Sequence, residues 1–335
     1  MGVTCEINLK TPPRGVFLAG SVVTGEIKYA VNENTVFKRI TMSLKGMGTV
    51  RVVKSSSRRQ STSFNKERYV DSNEVILDKN DQNGTTLNAG SYNTPFKFIL
   101  PERVPPSTNV YRREGQYSLK YKVAYFVSMK FERPGFMAFP KRFRKEIQVT
   151  SDTTPTLSRE PLTYGEQKKL FHPFSSSESI VNIKSTILDS VVKAGDNLHF
   201  EYEVSNKSHV AISAVETKIV EMITPKKRRK YVTFKHDVPG TDSKTRSIDV
   251  AATQQLFVDI KIPEDTLTIG TCELATRNYG VSITAVLPMP HINLQLLIPF
   301  EIIMKREEVI EDNDAPPSYW DVMCEDKKKL EELFE

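Results

Sequence analysis

Cysteine is scarce in this chain: Cys5, Cys272 and Cys324 are three among 335 residues, odd in number and far apart. That excludes a disulfide framework and any Cys-x-x-Cys metal or redox site. Histidine is nearly as thin. His172, His199, His209, His236 and His291 form no His-Glu-x-x-His or His-x-His pair, so no metal centre is expected. No Gly-x-Ser-x-Gly, no phosphate-binding loop and no carboxylate pair spaced for acid–base work occurs. The one Gly-x-Gly, Gly46-Met47-Gly48, runs into a strand-like Thr49–Val53 rather than a helix N-terminus, so it reads as a bend and not a dinucleotide site. The expectation is a protein that is not an enzyme and uses no cofactor. No run nears the roughly 20 apolar residues of a membrane-spanning helix. The opening MGVTCEINLK lacks the apolar stretch of a signal peptide, so the expected location is the cytoplasm.

What is present is charge and alternation. The net charge of +6 conceals an asymmetry: from Arg306 onward there are eleven acidic and four basic residues, leaving +13 on residues 1–305. A basic body of this kind suits acidic lipid surfaces or acidic segments of partners. Period-2 alternation dominates the body, the mark of strands with one buried face. Tyr117, Leu119, Tyr121, Val123, Tyr125, Val127, Met129 and Phe131 alternate with Ser118, Lys120, Lys122, Ser128 and Lys130. The pattern recurs at Val23–Val31, Ile40–Leu44, Leu198–Val204, Leu256–Ile262 and in the row from Ile292 to Ile302. Helical periodicity is nearly absent, with Asp326–Phe334 the one short candidate helix. Many short strands with turn signals between them predict an all-β chain of two sandwiches.

The predicted organisation is a first β-sandwich over 1–150, a Pro- and Ser-containing interdomain linker over 151–178, a second sandwich over 179–305, and a tail over 306–335 expected to be disordered. The Ser-, Arg- and Asn-rich segment 54–73 reads as a long loop outside the first core. The halves rhyme: FLAGSVVTGEIKYAV at 17–31 matches VVKAGDNLHFEYEV at 191–204, each with a Gly before a strand and an inward tyrosine, Tyr29 and Tyr202. Each half also has a proline-ended strand, FKFILP at 96–101 and VDIKIP at 258–263. An internal duplication accounts for both.

The tail carries the sharpest motif, Pro316-Pro317-Ser318-Tyr319, followed by Trp320. Consecutive prolines hold φ near −65° and pre-form a polyproline II turn, which fits the aromatic slot of a WW domain with little entropy to lose. With three residues per turn, Tyr319 falls on the same side as Pro316 and enters an adjacent pocket. A phosphate on Tyr319 would put a dianion where that pocket takes a phenol. Ser61, two residues after Arg58-Arg59, is a second candidate for regulatory phosphorylation. The run Lys226–Lys230 sits between strand-like segments with no aromatics interleaved, so it reads as a solvated hairpin loop or a contact for acidic lipid or phosphorylated cargo, and nucleic acid is not an expected partner. Lys141–Lys145 reads as a strand with a charged outer face.

The segments GSVVTGEIKYAV, LNAGSYNTPFKFILPERVPPSTNVYRREGQYSLKYKVAYFV and IPEDTLTIGTCELATRNYGVSITAVLPMPHINLQLLIPFEI together resemble the alpha-arrestin (arrestin-domain-containing) branch of the arrestin family, over roughly residues 5–305. The resemblance implies two tandem arrestin-like, immunoglobulin-type sandwiches that scaffold membrane cargo and the ubiquitin machinery. It implies partners in a WW-domain HECT-type ubiquitin ligase and in cytosolic segments of membrane receptors or transporters, with recruitment to the plasma membrane and endosomes. The single Pro-Pro-x-Tyr, where relatives often carry two, implies monovalent ligase binding. The runner-up reading is an arrestin-like structural subunit of an endosomal sorting coat, with the tail motif incidental. The oligomeric state is open.

Overall fold

The computed structural model describes residues 2–56, 59–78, 84–135, 138–152, 154–171, 179–226, 232–270 and 272–305. These are strands and connections throughout, with no helix among the described residues. The first half contains β1 (Val3–Leu9), β2 (Val16–Leu18), β3 (Val22–Val31), β4 (Thr35–Phe37), β5 (Arg39–Ser55), β6 (Gln60–Asp78), β7 (Thr85–Leu87), β8 (Gly90–Ile99), β9 (Thr108–Glu114), β10 (Tyr117–Glu132) and β11 (Lys141–Thr150). The second contains β12 (Leu162–Lys169), β13 (Ile180–Ile187), β14 (Val191–Lys193), β15 (Asn197–Lys207), β16 (Ala214–Pro225), β17 (Phe234–Asp237), β18 (Ser243–Lys244), β19 (Thr253–Lys261), β20 (Ala275–Val286) and β21 (Leu294–Ile303).

Each half is a two-sheet sandwich, and the two are built alike. In the first, a sheet ordered β1-β3-β8 faces one ordered β2-β11-β10-β5-β6, with β9 sharing an edge of β10 and a small β4-β7 pair beside them. In the second, β12-β13-β15-β19 faces β14-β21-β20-β16-β17, with β18 on β16. The three-residue strands β2 and β14 are the parallel members, against β11 and β21 respectively. The rhyme in sequence is a rhyme in hydrogen bonds. Gly20 and Gly195 turn at φ +81° and +83°, and each donates its N–H at 3.1 Å to the end of the proline-ended strand, at Pro101 and Ile262. Ala19 donates to Thr150 and Ala194 to Ile303. The left-handed φ favours glycine at both turns.

The alternation becomes the core. On β10 the side chains of Leu119, Tyr121, Val123, Tyr125, Val127, Met129 and Phe131 are all sealed from solvent. Each such burial contributes about 1.5–3 kcal/mol. The hydroxyl of Tyr125 donates to the carbonyl of Pro105 at 2.6 Å, so that a polar tip is satisfied inside. Tyr29 and Tyr202 face inward as expected, at 6% and 3% exposure. The second core gathers Val181, Ile183, Phe200, Val258, Val281, Ile283, Ile298 and Phe300.

Four expectations are corrected. Segment 54–73 is not a loop: β5 and β6 form a hairpin of 17 and 19 residues, and the turn lies at its tip. Strand β6 is polar on both faces over most of its length, as an exposed edge is, and so shows no period-2 signal. The linker 151–178 contains β12, which pairs with β13 along its full length as the charged edge of the second sandwich. Gly46-Met47-Gly48 is not a bend but the middle of β5, where the register against β6 shifts between Gly46 and Met47. There the missing side chains admit the ring of Tyr125 and the tip of Leu274. Ile292 falls outside the apolar row: it precedes β21 and is 76% exposed. The expected helix at Asp326–Phe334 lies outside the described residues. No helix among the described residues is long and apolar enough to cross a membrane.

Candidate functional site

Of the residues singled out in the sequence, Pro316, Pro317, Ser318 and Tyr319 lie outside the described residues, as does most of the Lys226–Lys230 run. The flanking strands β16 and β17 do pair as a hairpin would, with Ile223 opposite Phe234. Ser61 is exposed near the start of β6, opposite Lys54 in register. The Lys54 ammonium lies 5.6 Å over the Tyr117 ring. A phosphate on Ser61 would therefore arrive beside a cation already positioned on the hairpin. Lys141–Lys145 is the start of β11, and its two faces differ. Arg142 and Arg144 are exposed, whereas the ammonium groups of Lys141 and Lys145 donate to the carbonyls of Val3 and Ile7 at 2.6 and 2.9 Å. Those lysines close the edge of β1, a structural role that a charge run does not announce.

Sequence reasoning missed the seam between the sandwiches. Chain from the second half enters the first core: Ile223, Phe234, Ile269, Cys272, Leu274 and Ala275 are buried in it. At the centre of the seam lies Glu221 of β16, 2% exposed. Its Oε2 accepts from Nε of Arg112 at 2.7 Å and pairs with Nη2 of the same guanidinium at 2.7 Å. Its Oε1 accepts from Nε of Arg277 at 2.6 Å. Arg112 belongs to β9 of the first sandwich, so one carboxylate ties two domains together. Beside it the Tyr121 hydroxyl donates to Sγ of Cys272 at 3.3 Å, and the Tyr69 hydroxyl lies 3.0 Å from the same sulfur. Burial pushes both phenols well above the ordinary tyrosine range. The available signal was an acidic residue inside an otherwise apolar run, Ile219-Val220-Glu221-Met222-Ile223, since unpaired charge is not left in a core.

The second sandwich bears an open cavity of about 640 Å³ on the outward face of β13, β15 and β19. Lys184, Glu201, Glu203 and Asp259 supply charge there, and Phe257 and Leu188 stand 72% and 70% exposed. The equivalent face of the first sandwich holds a cavity of about 460 Å³ around Thr4, Lys28, Ala30 and Ser91. Exposed apolar side chains among carboxylates can receive an apolar side chain with a neighbouring cation, which is recognition chemistry rather than bond-making. Among the described residues no group of three or more His, Cys, Asp or Glu is placed to hold a metal ion.

Residues 5–154 match the family model described as Arrestin (or S-antigen), N-terminal domain, and residues 177–306 match Arrestin (or S-antigen), C-terminal domain. No curated protein matches the chain. The two matches follow the two sandwiches in order, and the interval between them contains β12.

Proposed function

The chain belongs to the arrestin family, and from that premise we propose that it is an adaptor of the alpha-arrestin branch that brings membrane cargo to a WW-domain HECT-type ubiquitin ligase. The observation that carries this reading is the pairing of two arrestin domains with Pro316-Pro317-Ser318-Tyr319 in the following segment. The arrestin domains support an adaptor role in trafficking. The motif supplies the ligase end: a pre-formed polyproline II turn binds an aromatic groove, and Tyr319 fixes the register. The sandwiches supply the cargo end, meeting cytosolic segments of receptors or transporters at the plasma membrane and endosomes. Catalysis belongs to the ligase, and this chain contributes effective concentration of ligase at cargo. Ubiquitination, endocytosis and onward transport follow from that proximity.

The test is capture of the full chain on isolated WW domains. Wild type is expected to be retained and Tyr319→Ala to be lost; retention of Tyr319→Ala overturns the ligase link. Removing residues 306–335 and comparing the captured partners then separates what the tail recruits from what the sandwiches recruit.

A further inference from the structure

Three rows of side chains cross the outward face of β9, β10, β5 and β6. The register sets Tyr111, Lys120, Arg51 and Phe64 in one row, with Asn109, Lys122, Thr49 and Lys66 beside it and Arg113, Ser118, Val53 and Thr62 on its other side. With strands ~4.8 Å apart and residues ~3.3 Å apart, the row is about 14 Å wide and the three rows about 13 Å deep. Arg51, Lys66, Lys120 and Arg113 are exposed, and none makes an ion pair with the described residues. Lys122 is 3.9 Å from Glu146, a pair too long and too exposed to cancel it. Phe64 and Tyr111 stand 58% and 54% exposed at the two ends of the central row. The Arg113 guanidinium donates to the Tyr111 hydroxyl at 2.9 Å, which holds the ring upright on the face.

We propose that this face docks the first sandwich on an anionic phospholipid bilayer. Its cations are spread in two dimensions over four strands, as a charged plane requires, whereas an acidic peptide is read along one groove or sheet edge. Its aromatics are separated by the whole width of the row, so they cannot stack successive bases of a nucleic acid. They are placed instead to enter the headgroup layer while the long cationic stems lie flat beneath their charges. The opposite side of the same strands is closed by the seam, where Gly48 and Val50 meet Leu274 and its neighbours in the core. Docking through this face therefore leaves the seam untouched. The inference goes beyond the ligase reading and does not use the tail, so its failure and that of the WW contact are separately visible.

The experiment is sedimentation of the full chain with phosphatidylcholine vesicles, with and without phosphatidylserine, as salt is raised. Wild type is expected to bind the vesicles containing phosphatidylserine alone and to be released by salt. Arg51→Gln with Lys120→Gln should lower the partition coefficient by about tenfold or more, since each cation near such a surface is worth about fivefold. Lys66→Gln with Arg113→Gln is a second, independent pair with the same expected loss, and each must keep the wild-type thermal midpoint. Neutralising Lys227, Arg228 and Arg229 should change partition by less than about twofold. The proposal is overturned if wild type ignores phosphatidylserine, if both face pairs bind as wild type does, or if only the 227–229 variant is released. Binding to a single-stranded oligonucleotide without vesicle binding would overturn it as well.

Discussion

Glu221 holds Arg112 across the seam between the sandwiches, with its Oε2 2.7 Å from both Nε and Nη2 of the guanidinium. Arg277 takes the other carboxylate oxygen. A buried ion pair adds little against an apolar replacement, but removing one partner strands the others, at a cost of about 3–5 kcal/mol. Glu221→Ala strands two guanidinium groups and is expected to cost that much. Arg112→Met leaves the carboxylate with Arg277 and should cost less, about 1–3 kcal/mol. Chemical denaturation of both variants decides it, and an equal or reversed order removes Glu221 from the centre of the seam. Limited proteolysis in the interval 154–176 should accelerate for Glu221→Ala first, because the seam loosens before either core does.

Gly25 in the Gly-Glu strand has a physical reason to be glycine. A Cβ built there would lie 2.1 Å from the carbonyl oxygen of Asn8 and 2.9 Å from the Phe96 ring. The first neighbour is backbone and cannot turn away, so β1 must shift on β3, where Gly25 faces Leu9 in register. Gly25→Ala is expected to destabilise by about 1–3 kcal/mol and to speed hydrogen exchange of the β1 amides. Gly270→Ala is the control, since a Cβ there meets nothing within 4 Å. A silent Gly25→Ala would show that β1 tolerates displacement.

The alternation of β10 and the duplicated Gly-before-strand and Pro-after-strand signals were legible because they depend on one strand at a time. A one-sided apolar strand or a left-handed turn leaves its mark in consecutive residues. Strands β6 and β12 were not legible, since an edge strand with mostly polar side chains carries little apolar period even where Val70 or Tyr164 turns inward, and its pairing is dictated by β5 or β13. The seam was hidden for a different reason. Arg112 and Glu221 are 109 positions apart, and although Glu221 stands out in its apolar run, nothing near it in sequence names Arg112 as its partner. The Pro-Pro-x-Tyr motif is the reverse case, readable in four residues because an extended ligand needs no partner from its own chain.

Alkaline pH is expected to destabilise this protein. Burial raises the Cys5 thiol from 9.0 to about 11 and the Tyr202 phenol from 10.0 to about 12. Tyr69, Tyr121, Tyr125 and Tyr279 are raised too, in each case mainly by burial. In the unfolded chain these groups ionise at their ordinary values while the folded chain still holds the protons. Where the folded state binds more protons, stability falls as pH rises. The contribution of Cys5 is complete below pH 9 and is lost towards pH 11; that of Tyr202 is complete below pH 10 and lost towards pH 12. Tyr202, sealed in the second core, removes at most about 1.4 kcal/mol per pH unit within its window, and the partly exposed Cys5 removes less. Denaturation midpoints should therefore hold steady up to pH 9 and then decline with a steepening slope. Tyr202→Phe should remove one group's share between pH 10 and 12 and leave the slope below pH 10 unchanged. A midpoint that stays level through pH 11, or a Tyr202→Phe slope identical to wild type, would mean that water reaches these hydroxyls in the folded protein.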